Sequence, residues 1–161
     1  ASKLKIPVIV YEAGEALRFS EVAIRAGVNG VVSVMRELEM IPKIKARRKD
    51  IEPFVARSSY WVRAAKSGIL RAAKSLGEKV EHNEVLGIIS DPFGSSEETV
   101  VANGEGIIIG RTNIPLVNEG EALFHIAKFK DAESVQEIVE VFQDEMDPAT
   151  DEKPSTEPAI V

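Results

Sequence analysis

The sequence predicts a mixed α and β chain in three parts: a strand and helix over residues 1–50, an all-β unit over 51–130, and an acidic amphipathic helix with a tail over 131–161. Three observations carry this. An apolar, β-branched run from Lys5 to Tyr11 (KIPVIVY) leads into a segment with helical spacing. From Ser58 to Phe129, short β-rich pieces alternate with Gly, Asn and Pro. Val135, Ile138, Val139 and Phe142 then recur at i, i+3, i+4 and i+7 among acids.

The run from Lys5 to Tyr11 has no helical period and is followed by Ala13 and Gly14, so it reads as a buried strand ending at a turn. Ser20 stands as an N-cap before Val22, Ile24, Val28, Val31, Val32, Val34, Met35 and Leu38. That spacing predicts a helix from Glu21 to Met40, ended by Pro42. Gly27 and Gly30 weaken it by about 1 kcal/mol each relative to Ala, which points to close packing against the helix. Lys43 to Lys49 (KIKARRK) reads as a basic linker.

The β-rich part repeats itself. Residues 67–89 (SGILRAAKSLGEKVEHNEVLGII) align with residues 105–126 (EGIIIGRTNIPLVNEGEALFHI), pairing Gly68 with Gly106, Ile69 with Ile107, Glu84 with Glu121, Leu86 with Leu123 and Ile89 with Ile126. Two copies are too few for a solenoid, so the expectation is two half-units closing on one shared core, with the three apolar pairs as equivalent core positions. Asp131 is placed to cap the acidic helix that follows, and the Pro-rich remainder (DPATDEKPSTEPAIV) reads as a mobile tail.

A length of 161 residues with 44% hydrophobic and 29% charged residues excludes wholesale disorder and fibrous classes. The absence of Cys excludes disulfides, thiolate nucleophiles and Cys-ligated zinc. Residues 131–161 hold 10 acids against one Lys, and the remaining 130 residues hold 19 basic and 16 acidic ones, so the net charge of -6 comes from the tail and the body is at +3. Neither part dictates a nucleic-acid partner, and the basic run lacks interleaved aromatics. No apolar run approaches the ~20 residues of a membrane span and no signal peptide is evident, so no membrane partner and a cytoplasmic location are expected. The chain begins at Ala1 without an initiator Met, which suggests a piece of a longer polypeptide.

Motifs for phosphate binding (GxGxxG, Walker A) and for a serine nucleophile (GxSxG) are absent. His82 and His125 have no metal-ligand spacing; the first reads as a solvated turn residue and the second as a half-buried, hydrogen-bonded strand residue. One constellation remains, Tyr11-Glu12-Ala13-Gly14-Glu15. A carboxylate at a strand end, partly desolvated, can serve as general base and acid, against the plainer reading of a capping or salt-bridged Glu.

IPVIVYEAGE, RAGVNGVVSVM, YWVRAAKSGIL, LGEKVEHNEVLGIISDPFG and GRTNIPLVNEGEALFHIA together resemble the C-terminal part of the succinylglutamate desuccinylase/aspartoacylase family, over about Ile6 to Ala127. The resemblance implies a carboxypeptidase A-like zinc hydrolase that deacylates N-acyl amino acids. It implies that residues 1–50 are the strand-helix remnant of the α/β zinc-hydrolase domain, with Glu12 in YEAG as the proton-carrying catalytic residue and Glu15 a capping neighbour. The family's zinc ligands and substrate arginines lie before this region, so zinc is implied for the full-length protein with no ligand in this chain, and the N-terminal catalytic portion is an implied partner.

The β-domain resembles the barrel-sandwich hybrid of biotinyl and lipoyl carriers. The joining segment Asp91 to Gly104 contains no Lys, so carrier chemistry is excluded. Such a domain would narrow the entrance to the site, with Arg111, Asn113 and Asn118 as candidate substrate-binding residues and Arg111 a natural clamp for a carboxylate. A solvent-exposed turn arginine is the competing reading. The alternative function is a stand-alone, non-catalytic barrel-sandwich interaction module. Homo-oligomerisation through the strand at Ile6 to Tyr11 is also expected if that strand has an unpaired edge.

Overall fold

A computed structural model describes residues 2–44 and 53–147. Most of the basic run and the Pro-rich tail after Asp147 lie outside the described residues. The chain divides into two compact units, Ala1–Asp50 with Val141–Val161, and Ile51–Glu140.

In the first unit the expected buried strand is not formed. Ser2–Leu4 is a single 3₁₀ turn and residues 6–13 are unpaired, with Ile6, Val8, Ile9 and Val10 between 57% and 84% exposed. The β-branched pattern is real, but a strand exists only through hydrogen bonds to a neighbour. No other segment of the described residues pairs with this one. Helix α1 (Glu21–Glu37) follows, and Ser20 caps it by accepting a hydrogen bond from the Ala23 amide at 3.4 Å. It stops three residues short of the expected Met40. Glu39 turns left-handed (φ 58°), its amide donates to the Arg36 carbonyl, and the Met40 amide reaches back to the Met35 carbonyl. This Schellman arrangement satisfies the last carbonyls before Pro42 is reached.

The second unit contains β1 (Ser58–Arg63), β2 (Gly68–Ala72), β3 (Lys79–Val80), β4 (Val85–Ser90), β5 (Glu97–Val101), β6 (Gly106–Arg111), β7 (Leu116–Val117) and β8 (Ala122–Lys128). They form two antiparallel sheets with orders β1-β8-β6-β3 and β5-β4-β2-β7. Replacing each strand of the first order by the one four places away in the chain gives the second order. The register obeys the same relation: Leu70 faces Ile89 as Ile108 faces Ile126, and Ser90 faces Glu97 as Ala127 faces Ser59. Even the irregularity between Val85 and Gly87 recurs between Val62 and Arg63, while a bulge at Ile109 in β6 has no counterpart in β2.

All eight strands contribute to one core, with Leu86, Ile89, Leu123, Phe124 and Ile126 fully enclosed. Two of the expected equivalent pairs, Leu86/Leu123 and Ile89/Ile126, are core on both sides. The third needs correction, because Ile107 is buried but Ile69 is 38% exposed. In each half the inward residue is the next one, Leu70 or Ile108, since side chains alternate along a strand. Ile107 is covered even so. It pairs with Lys79, whose amide donates to Gln136 Oε1 of helix α2 (Ala132–Met146) at 3.2 Å and whose ammonium lies 3.9 Å from Glu133.

The start of α2 is capped as expected. Asp131 accepts from the Ser134 amide at 3.2 Å and from its hydroxyl at 2.7 Å, which holds the Asp131 carboxyl below its ordinary range. Among the described residues no helix is long and apolar enough to cross a membrane.

Candidate functional site

The segment carrying Glu12 is held by its neighbour. Tyr11 lies across α1, its hydroxyl donating to the Ala23 carbonyl at 2.7 Å and its ring over Gly27, where a Cβ would stand 2.9 Å from the ring carbon Cε1. Gly27 therefore serves the close packing expected of it. Gly30 does not, since a Cβ there would meet nothing within 4 Å. Glu12 itself is exposed, two residues before the left-handed Gly14 (φ 79°).

Glu15 is not the cap of α1, a role taken by Ser20. It forms a bridge with Arg18 across a tight turn at Ala16-Leu17, with the carboxylate 3.7 Å from the guanidinium. A cavity of about 350 Å³ opens beside this turn, lined by Tyr11, Ala13, Gly14, Glu15, Arg18 and Ser20 among others, and Glu12 stands outside that lining.

In the β unit, the structure brings Arg111 and Asn113 together and holds Asn118 elsewhere. Arg111 ends β6 and is half-buried, so it is not a solvent-exposed turn residue. Its Nη1 donates to the Lys74 carbonyl at 2.7 Å and its Nε to Asn113 Oδ1 at 3.2 Å. Lys74 in turn places its ammonium 2.6 Å from Glu84 and 3.4 Å from Glu78. The hydrogen bond from Lys74 draws Glu84 below the ordinary carboxyl range, and the same bond raises Lys74.

Asn118 is a turn residue. Its side-chain amide and backbone amide both donate to the Glu121 carboxylate, at 2.9 and 2.8 Å, which lowers the Glu121 pKa. The repeat explains this use: Glu84 takes the Glu81 amide at 2.7 Å in the equivalent turn, where left-handed Asn83 stands at the place of left-handed Gly120. The aligned glutamates of the two halves are thus turn-forming residues. Lys74, by contrast, joins Arg111 only through the fold, and no local sequence signal marks it.

His82 is exposed in the turn between β3 and β4, as expected. His125 is a half-buried strand residue whose Nε2 lies 2.9 Å from Ser59 Oγ and whose ring stacks on Trp61 with centroids 4.0 Å apart. Among the described residues no three His, Cys, Asp or Glu side chains come together to hold a metal ion. His82 lies in a turn and His125 on β8 with Ser59 and Trp61 as partners, so the described residues do not fit a zinc site. The hairpin between β4 and β5 is organised by Asp91, whose carboxylate accepts from the Phe93 amide at 2.8 Å and from the Ser96 amide.

No family model and no curated protein matches the sequence. Solved structures do. The chain is similar to a succinylglutamate desuccinylase/aspartoacylase from Rhodobacter sphaeroides, with TM-score 0.60 and 19% identity over 70% of this chain and 37% of that one. It is similar to a family protein from Shewanella amazonensis, with TM-score 0.57 and 13% identity over 69% and 32% of the two chains. The likeness is to part of the fold of these solved succinylglutamate desuccinylase/aspartoacylase structures.

A third match is the product-bound ectoine utilization protein of Ruegeria pomeroyi, with TM-score 0.57 and 15% identity over 67% of this chain and 34% of that one. The chain thus spans about a third of the length of these three solved structures. At such identities the likeness establishes the fold alone.

Proposed function

We propose that this chain is the C-terminal portion of a hydrolase that deacylates N-acyl amino acids, with Glu12 as its proton carrier and the β unit, arranged as a barrel-sandwich hybrid, narrowing the entrance. The observation that carries the reading is the shared desuccinylase/aspartoacylase fold over 70% of the chain; beside it, Glu12 follows a residue docked on α1. An exposed carboxylate on an anchored segment can take a proton from an attacking water and deliver it to the leaving amine. Arg111 with Asn113 offers a planar donor group suited to the carboxylate of an amino-acid substrate. Asn118, committed to Glu121, would act there only by shaping the turn.

Zinc belongs to this proposal only as a cofactor of a longer polypeptide. The described residues do not hold it, and the chemistry assigned to them is proton transfer and substrate orientation.

The test is Glu12→Gln in a polypeptide that contains both this chain and the metal ligands. Glutamine keeps the shape and removes the titrating group, so turnover should fall by about 10²–10⁴-fold while zinc content and folding are retained. Glu15→Gln should be mild, because Glu15 pairs with Arg18 beside the turn and has no proposed part in proton transfer. Near wild-type turnover in Glu12→Gln, or collapse in Glu15→Gln, would reject the assignment.

A further inference from the structure

The geometry points to Tyr11 as a positioning residue for Glu12, acting through a latch on Gly27 of α1. The inference rests on the proposed role of Glu12 and extends it to how that carboxylate is kept in place. Next to Glu12 the Tyr11 side chain ties the segment to α1, with its hydroxyl 2.7 Å from the Ala23 carbonyl and its ring against Gly27.

Ala23 and Gly27 are one turn apart on the same helix face, so a single ring spans both. The ring can lie that low only because position 27 has no Cβ, which would stand 2.9 Å from Cε1 and 3.4 Å from Cδ1. Glycine in a helix interior is unfavourable by itself. At position 30 the same cost brings no contact, whereas at position 27 it admits the aromatic ring that adjoins the carboxylate. Because Glu12 is the next residue, displacing the Tyr11 ring re-aims its backbone directly. Misplacement of a reacting group by ~1 Å can cost about 10²-fold in rate.

Two glycine substitutions separate the latch from general helix effects. Gly27→Ala and Gly30→Ala both improve helix propensity, and both should raise the helical signal in far-ultraviolet circular dichroism. Only Gly27→Ala pushes on Tyr11. In the polypeptide used to test Glu12→Gln, Gly27→Ala and Tyr11→Ala should each lower kcat by up to about 10²-fold with KM little changed, since Glu12 acts on the transition state. Gly30→Ala should keep wild-type turnover. Tyr11→Phe, which retains the ring, should recover most of the loss seen in Tyr11→Ala. Adding Gly27→Ala to Tyr11→Ala should lower kcat no further, because the ring it displaces is already gone.

Equal turnover in Gly27→Ala and Gly30→Ala, or losses in Gly27→Ala and Tyr11→Ala that simply multiply, would overturn the latch. Glu12→Gln measured alongside distinguishes the two layers of the argument. Full activity in that variant overturns both the proton carrier and its positioning, whereas an inactive Glu12→Gln beside active Gly27→Ala and Tyr11→Ala overturns the positioning alone.

Discussion

Gly68→Ala and Gly106→Ala test whether the two halves of the β unit are equivalent in packing as well as in strand order. A Cβ on Gly68 would stand 2.5 Å from the Ser90 carbonyl oxygen and 2.7 Å from Ile89 Cγ2; on Gly106 it would stand 2.4 Å from the Ala127 carbonyl oxygen and 2.7 Å from Ile126 Cγ2. The same contact is made twice, at positions related by the repeat. These oxygens belong to strand backbone and the methyl groups to fully enclosed isoleucines, so neither can swing aside.

Overpacking of this kind costs about 1–3 kcal/mol, the expectation for Gly68→Ala. Gly106 also has φ 156°, a conformation strained for any side chain, which adds about 1–3 kcal/mol and brings Gly106→Ala to about 2–6 kcal/mol. Against the 5–15 kcal/mol typical of a folded domain, both losses are large. Urea unfolding followed by fluorescence of the single tryptophan, Trp61, measures them as a lowered midpoint at constant slope. Gly104→Ala is the internal control: its nearest neighbour would be Lys128 Nζ at 3.7 Å, and the change should stay within about 0.5 kcal/mol. If Gly68→Ala and Gly106→Ala both matched Gly104→Ala, the close approach would be refuted. If only one were costly, the halves would share topology but not packing.

The remaining predictions concern the same unit. Ile89→Ala and Ile126→Ala, at fully enclosed equivalent sites, should each cost about 2–5 kcal/mol, while Ile69→Ala, on the outer face, should cost less than about 1 kcal/mol in the same unfolding assay. The Lys74–Glu84 pair predicts a pH dependence with a definite sign. Glu84 is depressed on folding, so its stabilisation is complete above the ordinary glutamate pKa of about 4.3 and is lost as pH falls through the lower folded value; Lys74 is raised, so its part persists at neutrality and is lost only well into alkali. Unfolding midpoints measured from pH 6 down to pH 2 should therefore fall less steeply in Lys74→Ala than in the wild type, and parallel curves would refute the coupling.

The β unit was largely legible because its information is local and doubled. An alternating strand exposes its period in six residues, and a repeat checks each reading against a second copy. Ile69 departs from the expectation because an aligned apolar residue need not be core. Alternation assigns Ile69 and Ile107 to the outer face, and only the later packing of α2 beside Lys79 covers one of them. Nothing within either repeat distinguishes the two, since the covering element lies outside both. Arg111 and Asn118 have partners that the sequence does not reveal, for a related reason. Their partners, the Lys74 carbonyl and the Glu121 carboxylate, depend on loop geometry that residue type alone does not specify.

The first 50 residues divide differently. Capping by Ser20 and termination near Pro42 are decided by neighbours in sequence and were readable, even if Glu39 and Met40 close the helix earlier than Pro42 demands. Composition marks the run from Lys5 to Tyr11 as a strand, which describes what the segment could pair with and not whether a partner is present. Its apolar side chains are accordingly exposed. One hydroxyl and one ring against a glycine adjoin the candidate proton carrier. Gly27 could be suspected from the sequence as a helix residue retained at a cost. That the cost serves the residue next to Glu12 required the fold.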